Sequence, residues 1–117
     1  ARELARAQLA ILPSHSESFG LSIAEAQAAA LPVVAYAAGS VPEVVADGQT
    51  AWLAPLGNLD ALTTALAAAL DSPTPAHARG LAGRERVARL FRWDRTAERV
   101  LTGLEALRGP SVGRRAA

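Results

Sequence analysis

Short apolar runs alternate with amphipathic stretches along this chain, and the alternation predicts strands and helices in turn. Residues 8–12, Val33–Tyr36 and residues 50–54 are nearly continuous apolar runs beside proline or glycine, which is typical of buried strands in a parallel sheet. Helical periodicity fills the segments between and after them. The sequence therefore predicts an α/β fold, a Rossmann-like parallel sheet with helices on its faces.

Capping and turn residues set the predicted ends of the helices. Helices are predicted over residues 20–30, from Pro42 to the turn at Asp47, from an Asn58 cap, from Thr74 to about Phe91, and from an Asp94 cap. Gly80 and Gly83 cost the fourth of these helices about 1 kcal/mol each in propensity. Residues 109–117 have no periodicity, so we expect one domain over residues 1–108 and then a disordered tail.

Apolar stripes mark the faces that two of these helices are expected to bury. The predicted core residues are Leu59, Leu62, Leu66 and Leu70 in one helix, and Ala97, Val100, Leu101, Leu104 and Leu107 in the last. Trp93 is expected to pack the last helix onto its predecessor. Residues 1–7 look like the end of an amphipathic helix, and we expect an apolar sheet edge near them that favours self-association.

Composition limits the chemistry that the chain can perform. At 117 residues, half of them hydrophobic, the chain suits a single globular domain. The absence of cysteine excludes disulfides and thiolate metal sites, and two histidines leave little for metal chemistry. No apolar run approaches the roughly 20 residues of a membrane span, so we expect a cytoplasmic protein.

The charge pattern argues against nucleic acid as a partner. The net charge is +1, but all basic residues are arginine, and seven of them lie between Arg79 and Arg99. These arginines do not form one helical stripe, and no series of aromatic residues interleaves with them for base stacking. We expect them to be mostly solvated.

The candidate chemistry lies in the stretch SHSESFGLSIAEA, residues 14–26, which joins the first strand to a helix. A helix beginning near Gly20 points free N–H groups and the positive end of its dipole toward the carboxyl ends of the strands, where a phosphate fits. Glu17 stands before this helix and Glu25 lies within it. Because carboxylates repel phosphate, the pair suits the hydroxyl groups of a sugar nucleotide. The alternative is that Glu17 caps the helix and Glu25 is solvated.

The sequence resembles the donor-binding C-terminal domain of family 4 (group 1) retaining glycosyltransferases, which have the two-domain GT-B fold. The resemblance covers nearly the whole chain. It rests on a Glu-x7-Glu motif formed by Glu17 and Glu25 around Phe19-Gly20, on LPVVA from Leu31, on GxxPEVVxDG from Gly39, and on FxWxxxAxR from Phe91. One departure is the turn Ala38-Gly39-Ser40, where the family often has two adjacent glycines.

The resemblance implies roles for the residues of this motif. Glu17 would be the catalytic residue, binding hydroxyls of the transferred sugar at its reacting side, although it need not be a nucleophile. Glu25 would bind the nucleotide ribose. Further substrate contacts would come from Ser18, Phe19, Gly20 and Leu21. The donor would be a UDP- or GDP-linked sugar, with no cofactor or metal required, and transfer would retain the anomeric configuration. The bacterial enzyme's carbohydrate or lipid-linked acceptor is not specified, and peripheral association with the inner face of the membrane is left open.

In the family, the basic residues that bind the diphosphate and the whole acceptor domain precede the segment that this chain matches. The chain is therefore expected to be a fragment that is inactive alone. Two alternatives stay open: a GT-B-fold phosphorylase or sugar-nucleotide epimerase, and a non-catalytic sugar-nucleotide-binding module. His15 either touches the donor or is merely solvated, and His77 is expected on the surface. The loop serines lack a paired base, which argues against a serine hydrolase.

Overall fold

The computed structural model describes residues 2–108 and confirms the predicted α/β architecture. Three parallel strands form a sheet in the order β1 (Ala10–Leu12), β2 (Val33–Tyr36) and β3 (Ala51–Ala54). Val34 of the central strand pairs with Ile11 on one side and Trp52 on the other. The helices are α1 (Arg2–Arg6), α2 (Leu21–Ala28), α3 (Val41–Val44), α4 (Leu59–Asp71), α5 (Pro73–Leu90) and α6 (Trp93–Leu107).

Strand β2 is the centre of the fold because its continuous apolar run is buried on both faces. Val33 and Ala35 join a cluster with apolar residues of α2 and α3, while Val34 and Tyr36 join a second cluster with α4. Alternate side chains of a strand point to opposite faces, so this one strand contributes to two cores. Helices cover both faces of the sheet, as parallel strands require.

The observed ends of the elements differ from the predicted ones by a few residues. Helix α2 begins at Leu21, because Gly20 takes a left-handed conformation (φ 79°) at the N-cap position. Strand β3 begins one residue later than predicted, because the backbone N–H of Thr50 donates to the carbonyl oxygen of Ala46 in the preceding turn. The predicted cap of α4 is confirmed: Oδ1 of Asn58 accepts a hydrogen bond from the backbone N–H of Ala61 at 2.9 Å.

The predicted core face of α4 is only half right. Leu62 is buried and Leu66 is partly buried, but Leu59 and Leu70 are exposed. At 100° per residue, Leu59 and Leu70 lie about 90° and about 110° from the centre of the packed face, at its margins. Alanines occupy that centre and let the helix lie close to the sheet, and the packed residues are Ala61, Leu62, Ala65, Leu66 and Ala69.

The two glycines of α5 are explained by its contact with α2 and the segment after it. A Cβ atom at Gly80 would lie 2.1 Å from the carbonyl oxygen of Ala30, and one at Gly83 would lie 2.9 Å from Nε2 of Gln27. Both glycines are buried. Their cost in helix propensity is therefore offset by close helix packing, which a sequence pattern does not reveal.

The predicted core face of α6 is wrong, since none of its residues is buried. Leu107 and Trp93 are 85% and 88% exposed, so Trp93 does not pack the helix onto α5. The amphipathic pattern identified the helix correctly but gave no information about a partner for its apolar face. Within residues 2–108, no other element buries that face.

Asp94 does not cap α6, contrary to the prediction, because the helix begins one residue before it. Its carboxylate instead forms an exposed ion pair with Arg92, 2.6 Å between Nη2 and Oδ2, and accepts from the backbone N–H of Arg95. The hydrogen bond from Arg92 lowers the pKa of Asp94. The predicted tail, residues 109–117, lies outside the described residues.

Strand β1 forms one edge of the sheet, and Ile11 there is 46% exposed. Leu4 of α1 packs against the same core cluster as Ala10 and Leu12 of this strand. The predicted apolar edge is therefore present, while self-association stays a prediction. Across residues 2–108, no helix has both the length and the hydropathy that a membrane crossing needs.

The glycine packing of α5 makes a prediction with a built-in control. Gly80→Ala should lower the free energy of unfolding by about 1–3 kcal/mol through overpacking, although alanine is the better helix former. Gly103→Ala, in α6 with nothing near its Cβ position, should instead raise it by up to about 1 kcal/mol. Urea unfolding of both variants measures the difference, and a Gly80→Ala variant as stable as the wild type would contradict the packing argument.

Candidate functional site

The candidate site lies where the chain leaves β1 and β2. Because these strands are parallel, the loop over residues 13–20 and the turn over residues 37–40 emerge at the same edge of the sheet. In open α/β sheets this edge, outside the carboxyl ends of the strands, is the usual place for ligands. Four of the predicted site residues, Glu17, Ser18, Phe19 and Gly20, lie in the first loop.

The turn after β2 presses directly against the backbone of Glu17. The N–H of Ser40 donates to the carbonyl oxygen of Glu17 at 3.3 Å. Gly39 has a φ of 52°, and a Cβ atom there would lie 2.0 Å from the same carbonyl oxygen. Glycine is therefore required both by the left-handed backbone and by the close approach. The sequence had singled out this turn, but not its contact with Glu17.

The carboxylate of Glu17 organises the start of α2. Its Oε2 accepts a hydrogen bond from the backbone N–H of Gly20 at 3.1 Å. This bond involves the N-cap residue itself and none of the first amides of the helix, so Glu17 orders the loop before α2 without capping the helix. A carboxylate has about four acceptor positions, so one such bond leaves capacity for hydroxyl donors of a ligand. Glu17 is partly buried and Ser18 is exposed.

Helix α2 presents the amides that an anion would use. The carbonyl of Gly20 accepts from the N–H groups of Ile23 and Ala24, both at 3.0 Å, which starts the helical ladder. The amides of Leu21 and Ser22 precede that ladder and have no acceptor within the helix. Both residues are exposed, and their N–H groups lie at the positive end of the helix dipole.

Glu25 lies one turn along α2 from Leu21, on the wall of an apolar groove of about 540 Å³. Phe19 and Phe91 meet in this groove edge to face, with ring centroids 5.5 Å apart. The groove runs between α2 and the junction of α5 with α6, where Trp93 lies. The structure therefore places three predicted residues, Phe19, Leu21 and Glu25, on one surface. Glu17 is outside that groove, on the side of the Gly39 turn.

His15 is held in place more firmly than the sequence indicated. It is exposed, but its ring packs edge to face on Tyr36 at the end of β2, with centroids 5.5 Å apart. A Cβ atom at Gly57, in the turn after β3, would lie 3.9 Å from Cε1 of His15. His15 thus connects the ends of all three strands. His77 is exposed, as predicted.

Sequence reasoning missed the buried polar contact that fixes α2. Gln27 is fully buried, and its Nε2 donates to Oγ1 of Thr50 at 2.9 Å. That hydroxyl oxygen also accepts from the N–H of Ala46, which ties α2 to the segment before β3. A glutamine among alanines carries no sequence signal for burial, because the same pattern is typical of a solvated helix face.

Two arginines of α5 were also missed. Arg79 stacks on Trp52, with the guanidinium carbon 3.8 Å from the ring centroid, and donates to the carbonyl of Ala51. Arg86 donates to the last carbonyls of α3. These two are partly buried, whereas the five other arginines between positions 79 and 99 are exposed, as expected. Within residues 2–108, no group of three or more metal-ligating side chains is present.

The contact between Gly39 and Glu17 can be tested against a second left-handed glycine. Gly48 has a φ of 72° but nothing within 4 Å of its Cβ position. Gly48→Ala should therefore lower the free energy of unfolding only by the cost of a left-handed alanine, about 1–2 kcal/mol. Gly39→Ala should lower the free energy of unfolding by the same cost and by a further amount of about 1–3 kcal/mol, because the new Cβ atom displaces Glu17. Urea unfolding gives both values, and equal losses would show that the Glu17 contact contributes nothing.

Comparison with known proteins gives a consistent family. The family described as "Glycosyl transferases group 1" matches residues 1–86 of the chain. The MMP alpha-(1->4)-mannosyltransferase of Mycolicibacterium hassiacum is 40% identical over 103 residues, 87% of this chain and 25% of its own length. The D-inositol 3-phosphate glycosyltransferase of Mycobacterium avium is 42% identical over 95 residues, 81% of this chain and 22% of its own length. The chain thus spans about a quarter of the length of these relatives.

Solved structures agree with the sequence comparison. Sucrose-phosphate synthase from Thermosynechococcus elongatus superposes with a TM-score of 0.80 at 34% identity, over 90% of this chain and 26% of that chain. The HepE protein of Anabaena, solved in complex with UDP-glucose, superposes with a TM-score of 0.77 at 19% identity, over 90% of this chain and 29% of its own. The matched residues include Glu17, the Gly39 turn and Glu25, and the chain belongs to the group 1 glycosyl transferases, with part of their GT-B fold.

Proposed function

We propose that this chain forms part of the nucleotide-sugar site of a retaining glycosyltransferase of family 4. Residues 1–108 would be the C-terminal part of its donor-binding domain, in an enzyme that moves a sugar from a UDP- or GDP-linked donor to an acceptor. Three relatives with 39–42% sequence identity to this chain are described as a mannosyltransferase, a D-inositol 3-phosphate glycosyltransferase and a glycogen synthase. The HepE protein, which shares this fold, was solved with UDP-glucose and with UDP and glucose.

The observation that carries the proposal is the start of α2, where two amides with no acceptor within the helix lie in the chain between Glu17 and Glu25. The amides of Leu21 and Ser22 would receive the diphosphate, with Gly20 leaving the backbone open to its approach. Glu25, one turn farther along, would hold ribose hydroxyls, and Glu17 would hold hydroxyls of the sugar. Ser18 and Phe19 would complete the substrate contacts from the same loop.

The chemistry required of these residues is mostly positioning and charge stabilisation. As the bond between the sugar and the diphosphate breaks, negative charge develops on the leaving diphosphate, and the helix dipole together with the fixed amides stabilises it. The sugar becomes oxocarbenium-like, and the carboxylate of Glu17 stabilises the positive charge. The hydrogen bond from the Gly20 amide orients that carboxylate before the substrate binds, so the substrate does not have to order it.

The proposal predicts different effects for the two carboxylates in the full-length enzyme. Glu25→Ala should weaken binding of the nucleoside diphosphate and of the intact donor alike, because both contain the ribose. Loss of a hydrogen bond to a charged group costs about 1.5–3 kcal/mol, so the dissociation constants should rise about tenfold or more. Isothermal titration with UDP, GDP and UDP-glucose measures them, and Glu105→Ala, an exposed carboxylate on α6, is the matched control.

Glu17 should affect turnover rather than binding of the bare nucleotide. Glu17→Gln retains an oxygen for the Gly20 amide but removes the charge, so it should leave the affinity for UDP or GDP unchanged and depress the initial rate with the sugar donor. Glu17→Ala also removes the acceptor for the Gly20 amide and should depress the initial rate further. If Glu17→Gln and Glu25→Ala both keep wild-type binding and turnover, the two carboxylates are surface and loop residues and the proposed site is wrong. Binding of a donor without any transfer would favour the non-catalytic module.

A further inference from the structure

Arg86 connects helix α5 to the C-terminal end of α3, the short helix that follows the turn in contact with Glu17. It is partly buried on α5, where its Nε donates to the carbonyl oxygen of Val44 at 2.9 Å and its Nη2 donates to that of Glu43 at 3.0 Å. Glu43 and Val44 are the last two residues of α3, and no N–H group within this short helix donates to their carbonyl oxygens. A cation at this end is also favoured by the helix dipole.

Helix α3 is a single turn of four residues, so a displacement of one end moves the other end as well. At its other end lie Gly39, in contact with the backbone of Glu17, and Ser40, whose N–H donates to the Glu17 carbonyl. Val41 and Val44 bury one side of α3 in the core, but apolar contacts have no directional preference. The two hydrogen bonds from the rigid guanidinium fork are directional and therefore fix the rotation of the turn.

We propose that Arg86 is a positioning residue for Glu17, acting through α3 and the Gly39 turn. This inference rests on the proposed function, since it assigns to Arg86 the placement of the carboxylate that is proposed to contact the donor sugar. The hydrogen bonds of Arg86 go to α3 and not to Glu17 or to the start of α2, on which the diphosphate would lie. Replacing Arg86 should therefore weaken the contacts with the donor sugar and leave binding of the nucleotide unchanged.

Arg79 supplies a matched control two turns earlier on the same helix. It is also partly buried and also donates to a backbone carbonyl, but that carbonyl belongs to Ala51 of β3. Arg79→Ala should reduce stability by loss of a comparable contact without moving α3. A general loss of stability is thereby separated from a displacement of Glu17.

The first test uses the full chain labelled with 15N-glycine, in which Gly20 and Gly39 report on the side chain and the backbone of Glu17. Arg86→Ala should shift both amide resonances, Arg86→Lys should bring them back part of the way, and Arg79→Ala should leave both in place. Unmoved Gly20 and Gly39 resonances in Arg86→Ala would overturn the proposal, whatever the loss in melting temperature.

The second test uses the full-length enzyme and two probes, UDP and UDP-glucose. Arg86→Ala should raise the dissociation constant of UDP-glucose about two- to thirtyfold while that of UDP stays within about twofold, and Arg86→Lys should recover part of the loss. Equal weakening of both probes, or of neither, would overturn the positioning role. If the wild type bound neither uridine nor guanosine nucleotides, the proposed function would fail, and the glycine resonances would still decide whether Arg86 places Glu17.

Discussion

The close approach of the Gly39 turn to the backbone of Glu17 is the contact on which the site depends. It joins the segments that follow two neighbouring parallel strands, and it leaves no room for a side chain at position 39. The loop after β1 is thereby held at two points of Glu17: its backbone carbonyl accepts from the N–H of Ser40, and its carboxylate accepts from the N–H of Gly20. A loop fixed in this way presents the start of α2 in one orientation, which electrostatic stabilisation of a developing charge requires.

Helix α2 needs a rigid support if its first amides are to bind an anion. The support comes from two kinds of contact with opposite chemistry. Gly80 and Gly83 allow α5 to approach without side chains, while Gln27 uses its buried amide to bond Thr50. Apolar packing alone would permit small sliding of α2, whereas the directional bond from Gln27 does not. The helix is therefore fixed along its axis as well as against the sheet.

Much of the fold could be predicted from the sequence where the signal is local. The bounds of β2 follow from a β-branched run after proline, and the start of α4 follows from the Asn58 cap. Contacts between distant segments were not predictable in this way. The stripe of α6 has the period of a buried face, yet burial depends on a neighbour, and the residues described here do not supply one.

The candidate site shows the same division. Glu17, Gly20 and Glu25 could be selected because their spacing around a helix start has a chemical meaning. The contact of Gly39 with Glu17 and the bonds of Arg86 to α3 join positions that are far apart in sequence, so no periodicity marks them. An arginine that binds backbone carbonyls looks the same in sequence as a solvated arginine.

The central claim is that the start of α2 binds the diphosphate of a nucleotide sugar. A crystal structure of the full-length enzyme with bound UDP or GDP, whichever titration selects, tests it most directly. The account predicts diphosphate oxygens at about 2.7–3.2 Å from the amides of Leu21 or Ser22, with Glu25 at hydrogen-bonding distance from the ribose hydroxyls. A nucleotide bound with its diphosphate away from the start of α2 would contradict the account.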